Sequence, residues 1–174
     1  MAKLLIAVAA LSWAIPAHCL PHVGLQTTTA FLAQRSALDL PRPVDYVSDF
    51  AHVLSRSAVD QIDGICSDLD HSNADTQVAV VTIKSLKGAD VAKYATELAN
   101  TWGVGRKGSN RGVLILLAVN DHKWRIAVGR GLEQILPDSK TEEIGQKMDP
   151  LLKARDFDGA VKIALHEIAQ AVSH

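Results

Sequence analysis

With 174 residues, 48% of them hydrophobic, the chain is long enough for one domain with a full core and too short for two comfortable ones. Lys and Arg total 18 against 19 Asp and Glu, a formal net charge of −1, which removes the electrostatic reason to expect nucleic acid or an anionic lipid surface as the main partner. The first twenty residues place Lys3 before an apolar run over 4–15, then Pro16 and Ala17-His18-Cys19. That is the layout of a secretory signal peptide, predicted over 1–19, and it makes the chain an exported, periplasmic or otherwise extracytoplasmic protein. The run is shorter than the roughly 20 residues needed to span a bilayer. His18 stands where a lipoprotein signal would carry a small residue, which argues against a lipid-modified Cys19. Without the signal Cys66 is the sole cysteine, so neither an intramolecular disulfide nor a multi-cysteine metal site is expected, and no transmembrane helix is expected in the mature chain.

Residues 20–43 lack a sustained helical or strand period, contain three consecutive threonines and end in Pro41-Arg42-Pro43; they are predicted to be a linker or tail. Beyond Ser55, a suitable N-cap, apolar residues at Val59, Ile62, Ile65, Cys66 and Leu69 line one face of a first helix. Residues 77–83 are rich in β-branched side chains and free of charge, the pattern of a strand covered on both faces. Asp90 can cap a second helix with Val91, Tyr94, Ala95, Leu98, Ala99 and Trp102 on one face, ended by Gly103. A loop with four glycines and Arg106, Lys107, Asn110 and Arg111 leads to 113–119, the predicted central strand. Asn120-Asp121-His122 is a polar turn, and the alternation of Trp124, Ile126 and Val128 with Arg125 and Ala127 predicts an antiparallel hairpin partner. Two further helical patterns follow, the first through Ile144, Met148, Leu151 and Leu152 with Pro150 expected to kink it or end it early, the second through Val161, Ala164, Leu165, Ile168 and Val172. The sum is an α/β fold, a three-layer α-β-α sandwich with a mixed sheet of about four strands.

Three stretches at matching separations make the chain resemble the TPM-domain family, which includes thylakoid-lumen phosphatase-like proteins, photosystem II repair factors and bacterial envelope proteins. They are VSDFAHVLS from Val47, WGVGRKGSNRGVLILLAVNDHKWRIAVG from Trp102, and GRGLEQILPD from Gly129. The resemblance assigns 44–174 to a TPM domain. Two positions depart from it: Asn110 stands where members commonly carry Asp, and Arg130 where an aromatic is frequent.

Asp49, Asn110, Asp121, Glu133 and Asp138 fall at loops and element ends, where oxygen ligands for a hard cation can converge. The resemblance implies that some of these five bind a divalent metal, Ca²⁺ or Mg²⁺, and the expectation is that they gather at one rim of the sheet. A plainer role is open as well, in which Asp49 and Asp138 cap helices and Asp121 makes a turn. Arg106, Lys107 and Arg111 beside flexible glycine amides form a candidate anion-binding loop, although it lacks the lysine-serine ending of a P-loop. Gly129-Arg130-Gly131 lacks the third glycine of a dinucleotide fingerprint. His166-Glu167 has no second histidine at helical spacing, and Cys66 sits on an apolar helix face, so no catalytic residue is assigned.

Two functions are compatible with these residues. One is a non-catalytic exported module that binds a divalent cation and assists the assembly or maintenance of a membrane or envelope protein complex. The other is a weak acid-phosphatase-like hydrolase, in which Asp49, Asp121, Glu133 and Asp138 hold a metal that polarises a phosphoryl group while Arg106 or Lys107 neutralises developing charge.

Overall fold

The computed structural model describes residues 40–72 and 74–173. The predicted signal peptide and most of the predicted linker lie outside the described residues. Chain order is β1 (Val47–Asp49), α1 (Arg56–His71), β2 (Gln77–Ile83), α2 (Val91–Trp102), β3 (Gly112–Ala118), β4 (Lys123–Val128), a short 3₁₀ turn (Arg130–Leu132), α3 (Asp138–Lys153) and α4 (Phe157–Val172). The strands form one sheet in the order β1-β2-β3-β4. β1 and β3 run parallel to β2, and β4 runs antiparallel to β3.

Strand alternation decides which helix covers which face. Val78, Val80, Val113, Ile115, Leu117 and Ile126 share a buried cluster with residues of α1, α3 and α4. Their neighbours Ala79, Val81, Ile83, Leu114, Leu116 and Ala118 pack with Tyr94, Ala95 and Leu98 of α2 on the opposite face. Side chains one residue apart point to opposite faces of a sheet, so a run of apolar residues requires a helical layer on each side. The α-β-α sandwich with a four-stranded mixed sheet therefore stands as read from the sequence.

The helix boundaries follow local chemistry. The Ser55 hydroxyl accepts from Ala58 N at 3.1 Å, and Asp90 Oδ1 accepts from Lys93 N at 2.9 Å. α2 ends where Gly103 adopts a left-handed φ of 67°, its N–H donating back to the carbonyls of Ala99 and Asn100. At α3 the structure corrects one part of the sequence reading, the alternative that Pro150 ends the helix early. The helix begins at Asp138 and continues through Pro150 to Lys153. The proline lies in the final turns, so the missing N–H removes one ladder bond, while Ile144 and Met148, buried on one face, anchor the helix upstream of it. β1 was contained in the first family-like stretch without being legible as a strand. At three residues it is too short for a period, and it is held by Val47 N donating to Asp63 Oδ1 of α1 at 2.9 Å.

Gly145 marks the closest approach between α3 and the sheet. A Cβ built there would stand 1.7 Å from Cη2 of Trp124, and that ring is fixed by its indole N–H donating to Asp149 Oδ1 at 2.9 Å. Gly145→Ala is expected to destabilise the fold by about 1–3 kcal/mol through overpacking, read as a lower urea midpoint. An unchanged midpoint would mean that Trp124 swings away at little cost.

Candidate functional site

The strand register separates the five oxygen-bearing residues into two groups. Asp49 pairs with Thr82 at the C-terminal ends of β1 and β2, and Asp121 lies in the β3–β4 turn at that same end. Gln77 pairs with Gly112, and Val113 with Val128, at the other end of the sheet. There Asn110 precedes β3, Glu133 follows the 3₁₀ turn, and Asp138 opens α3. The expectation that all five gather at one rim is thus corrected, because the parallel β1-β2-β3 arrangement puts strand starts and strand finishes at opposite ends. Among the described residues, no group of three or more His, Cys, Asp or Glu side chains is placed to hold a metal ion.

Asp49 and Asp121 are engaged with the backbone. Asp49 accepts from Val53 N at 3.2 Å, from Leu54 N at 3.0 Å and from the Thr82 hydroxyl, so it organises the turn ahead of α1 without capping that helix. Asp121 Oδ2 accepts from Leu86 N at 2.7 Å and joins the hairpin turn to the β2–α2 connection. Asp49→Ala leaves those donors without their carboxylate, a loss of about 2–4 kcal/mol for several charge-assisted bonds. Urea denaturation checks this, and a change below about 1 kcal/mol would contradict the structural role.

At the opposite end Asn110 is exposed and has a left-handed φ of 49°, a conformation that Asn and Asp tolerate better than most residues. Its carbonyl accepts from Gly131 N at 3.2 Å. The basic loop is tied to the α1–β2 connection. Arg106 pairs with Asp70 at 3.2 Å and with Asp75 at 3.1 Å, and Arg111 Nε donates to Ala74 O at 2.8 Å. Lys107 is exposed.

Glu133 and Asp138 line one cleft of about 470 Å³ between α2 and the corner formed by β4, the 3₁₀ turn and α3. Thr96 and Asn100 face it from α2, and Arg125 from β4. Arg125 binds Asp138 at 3.2 Å, with side chains 39% and 91% exposed, a solvated pair that contributes about 0–1 kcal/mol and can be exchanged for a ligand. The sequence reading missed Arg125 as a site residue. The alternation of Trp124, Ile126 and Val128 with Arg125 and Ala127 was legible and puts Arg125 on the opposite face from Ile126, but only its pairing with Leu116 makes that face the one under α2.

Two titrating groups bear on reactivity. Burial, reinforced by the charge of Asp63, pushes the Cys66 thiol up to about 12, so the thiolate needed for nucleophilic attack is absent near neutral pH. Tyr46 donates to Asp70 Oδ2 at 2.8 Å, and this bond, followed by burial and the Asp70 charge, raises the phenol from 10.0 to about 12. Because the folded value lies above the unfolded one, this stabilisation is complete below pH 10.0 and is lost as pH rises through about 12. Ultraviolet titration of phenolate should show Tyr46 ionising about two pH units late, and Asp70→Asn should return it toward 10.0. A Tyr46 titration unaffected by that substitution would contradict the assigned cause.

A model of the TPM domain matches residues 47–171. The chain belongs to the TPM-domain family. The N-terminal domain of a protein from P. gingivalis shares 27% identity and a TM-score of 0.67 with this TPM chain, over 72% of it and 80% of the other. The N-terminal domain of the cg2496 protein of Corynebacterium glutamicum has the same fold at 20% identity and a TM-score of 0.56, over 74% and 80% of the two chains. So does the BA42 protein of the psychrophilic bacterium Bizionia argentinensis, at 17% and 0.59, over 69% and 81%. No curated protein sequence matches the chain. Among the described residues of this TPM domain, no helix is long and apolar enough to cross a membrane.

Proposed function

We propose that this TPM domain is an exported, non-catalytic binding module that takes a divalent cation at the Glu133–Asp138 cleft and supports a membrane or envelope protein complex. The observation that carries the reading is the contrast among its carboxylates. Asp49 and Asp121 hold backbone donors in place, whereas Glu133 and Asp138 share a solvent-facing cleft and the Asp138 carboxylate meets Arg125 in an exposed ion pair. Two carboxylates suit Mg²⁺, which keeps several waters and needs one or two protein carboxylates; Ca²⁺ would draw its remaining oxygens from water or the docked partner. A cation there releases the Arg125 guanidinium, which then offers a planar donor fork to an acidic group of the partner.

The hydrolase reading uses the same cleft, with Arg125 neutralising charge on a phosphoryl group. It is the weaker reading because the Thr96 hydroxyl, which lines the cleft, donates to Ala92 O at 2.9 Å, and Cys66 is buried and protonated.

Thermal unfolding in a Mg²⁺ and Ca²⁺ series tests the proposal. A cation at ten times its Kd stabilises the native state by about 1.4 kcal/mol, so the melting temperature should rise with metal, and Glu133→Gln with Asp138→Asn should abolish the rise. Absence of any rise at millimolar metal removes the cation from the reading. Phosphatase turnover that depends on metal and disappears in the same double variant would establish the hydrolase instead.

A further inference from the structure

The β3–β4 hairpin turn, the end of α3 and the start of α4 enclose a second cavity, of about 290 Å³. It lies at the opposite end of α3 from the Glu133–Asp138 cleft, since Asp138 opens that helix and Lys153 closes it. Sixteen helical residues span about 24 Å, so the two cavities are independent sites. Its size is at the lower edge of ligand clefts, roughly 300–1,000 Å³, which favours a small molecule over a folded partner.

The walls are apolar. Trp124, Leu152 and Phe157, all half-buried, line the cavity together with Leu117 from β3. The Trp124 ring is fixed on both sides, by contact with Gly145 and by its bond to Asp149 Oδ1. The wall is therefore rigid before any ligand arrives, which lowers the ordering cost of binding.

The rim carries charge of one predominant sign. Lys123 and Lys153 line the cavity and are exposed, and His122 stands beside them. Neither lysine has an ion-pair partner among the described residues. Asp149 is the one carboxylate on the lining, and one of its oxygens already accepts the Trp124 indole N–H. An apolar cavity lined by two exposed lysines, without ion-pair partners among the described residues, complements a ligand with an apolar body and a single negative head.

We propose that this cavity binds a small apolar monocarboxylate, its alkyl or aryl body against Trp124, Leu152 and Phe157 and its carboxylate between Lys123 and Lys153. The apolar body gains from leaving water, and the two lysines set the preference for an acid over a neutral alcohol of equal length.

Titration of the ¹⁵N-labelled protein with octanoate, below its micelle concentration, tests this against octanol as the uncharged counterpart. Octanoate should saturably shift the Trp124 indole resonance and the amides of Leu117 and Leu152, and bind about fivefold more tightly than octanol. The exposed double variant Lys123→Ala/Lys153→Ala should equalise the two ligands, and Leu152→Trp should fill the cavity and remove both. The double variant removes only exposed side chains, so it keeps the test decisive if Leu152→Trp fails to fold. Equal affinity for octanol and octanoate in the wild type, shifts centred on Glu133 and Asp138, or no saturable shift would each overturn the proposal.

Discussion

The structure depends on the two-sided burial of β3. All seven of its residues are buried, and a strand that alternates its side chains between faces can be dry throughout only if helices cover both. Three helices cover one face, where α1, α3 and α4 meet Val113, Ile115 and Leu117. A single helix, α2, covers the other, over Leu114, Leu116 and Ala118. On that side α2 packs against β4 as well as β3, and the cleft forms where Arg125 and Ala127 of β4 stay half-buried beside Glu133 and Asp138.

The polar chemistry follows from how the loops are secured to this sheet. At the strand finishes, connections must be held where regular pairing ends, and Asp49 and Asp121 do this by accepting backbone N–H groups of residues 53, 54 and 86. At the strand starts, the glycine loop is secured by Arg106 on Asp70 and Asp75 and by Arg111 on Ala74. Charges so committed have little freedom to meet a ligand. The two cavities at either end of α3 carry charges open to one, carboxylates with an exchangeable arginine at one and lysines over an apolar wall at the other. Cys66, by contrast, is buried in the helix-covered core.

Local signals carried far into the fold. The caps at Ser55 and Asp90, the stop at Gly103 and the buried character of 77–83 and 113–118 all correspond to elements of the structure. Failures of local reading have physical causes. Pro150 breaks helices in isolation, but buried residues upstream sustain α3 past it. β1 is three residues long and is defined by its neighbours: β2 pairs with it and Asp63 holds its first N–H. The candidate site was less legible, because oxygen ligands at loop positions look alike in sequence whichever end of the sheet the loop occupies.

The sequence by itself determined the layers, the order of helices and strands, and membership of the TPM-domain family, since periodicity, capping and motif spacing are properties of neighbouring residues. Only the tertiary structure decided that Asp49 and Asp121 stand at one end and Asn110, Glu133 and Asp138 at the other, and that Arg125 joins the latter cleft. Strand direction and register are set by pairing between residues some thirty positions apart, such as Val80 with Val47 and Leu114 with Ala79, and no local pattern encodes which ends will meet.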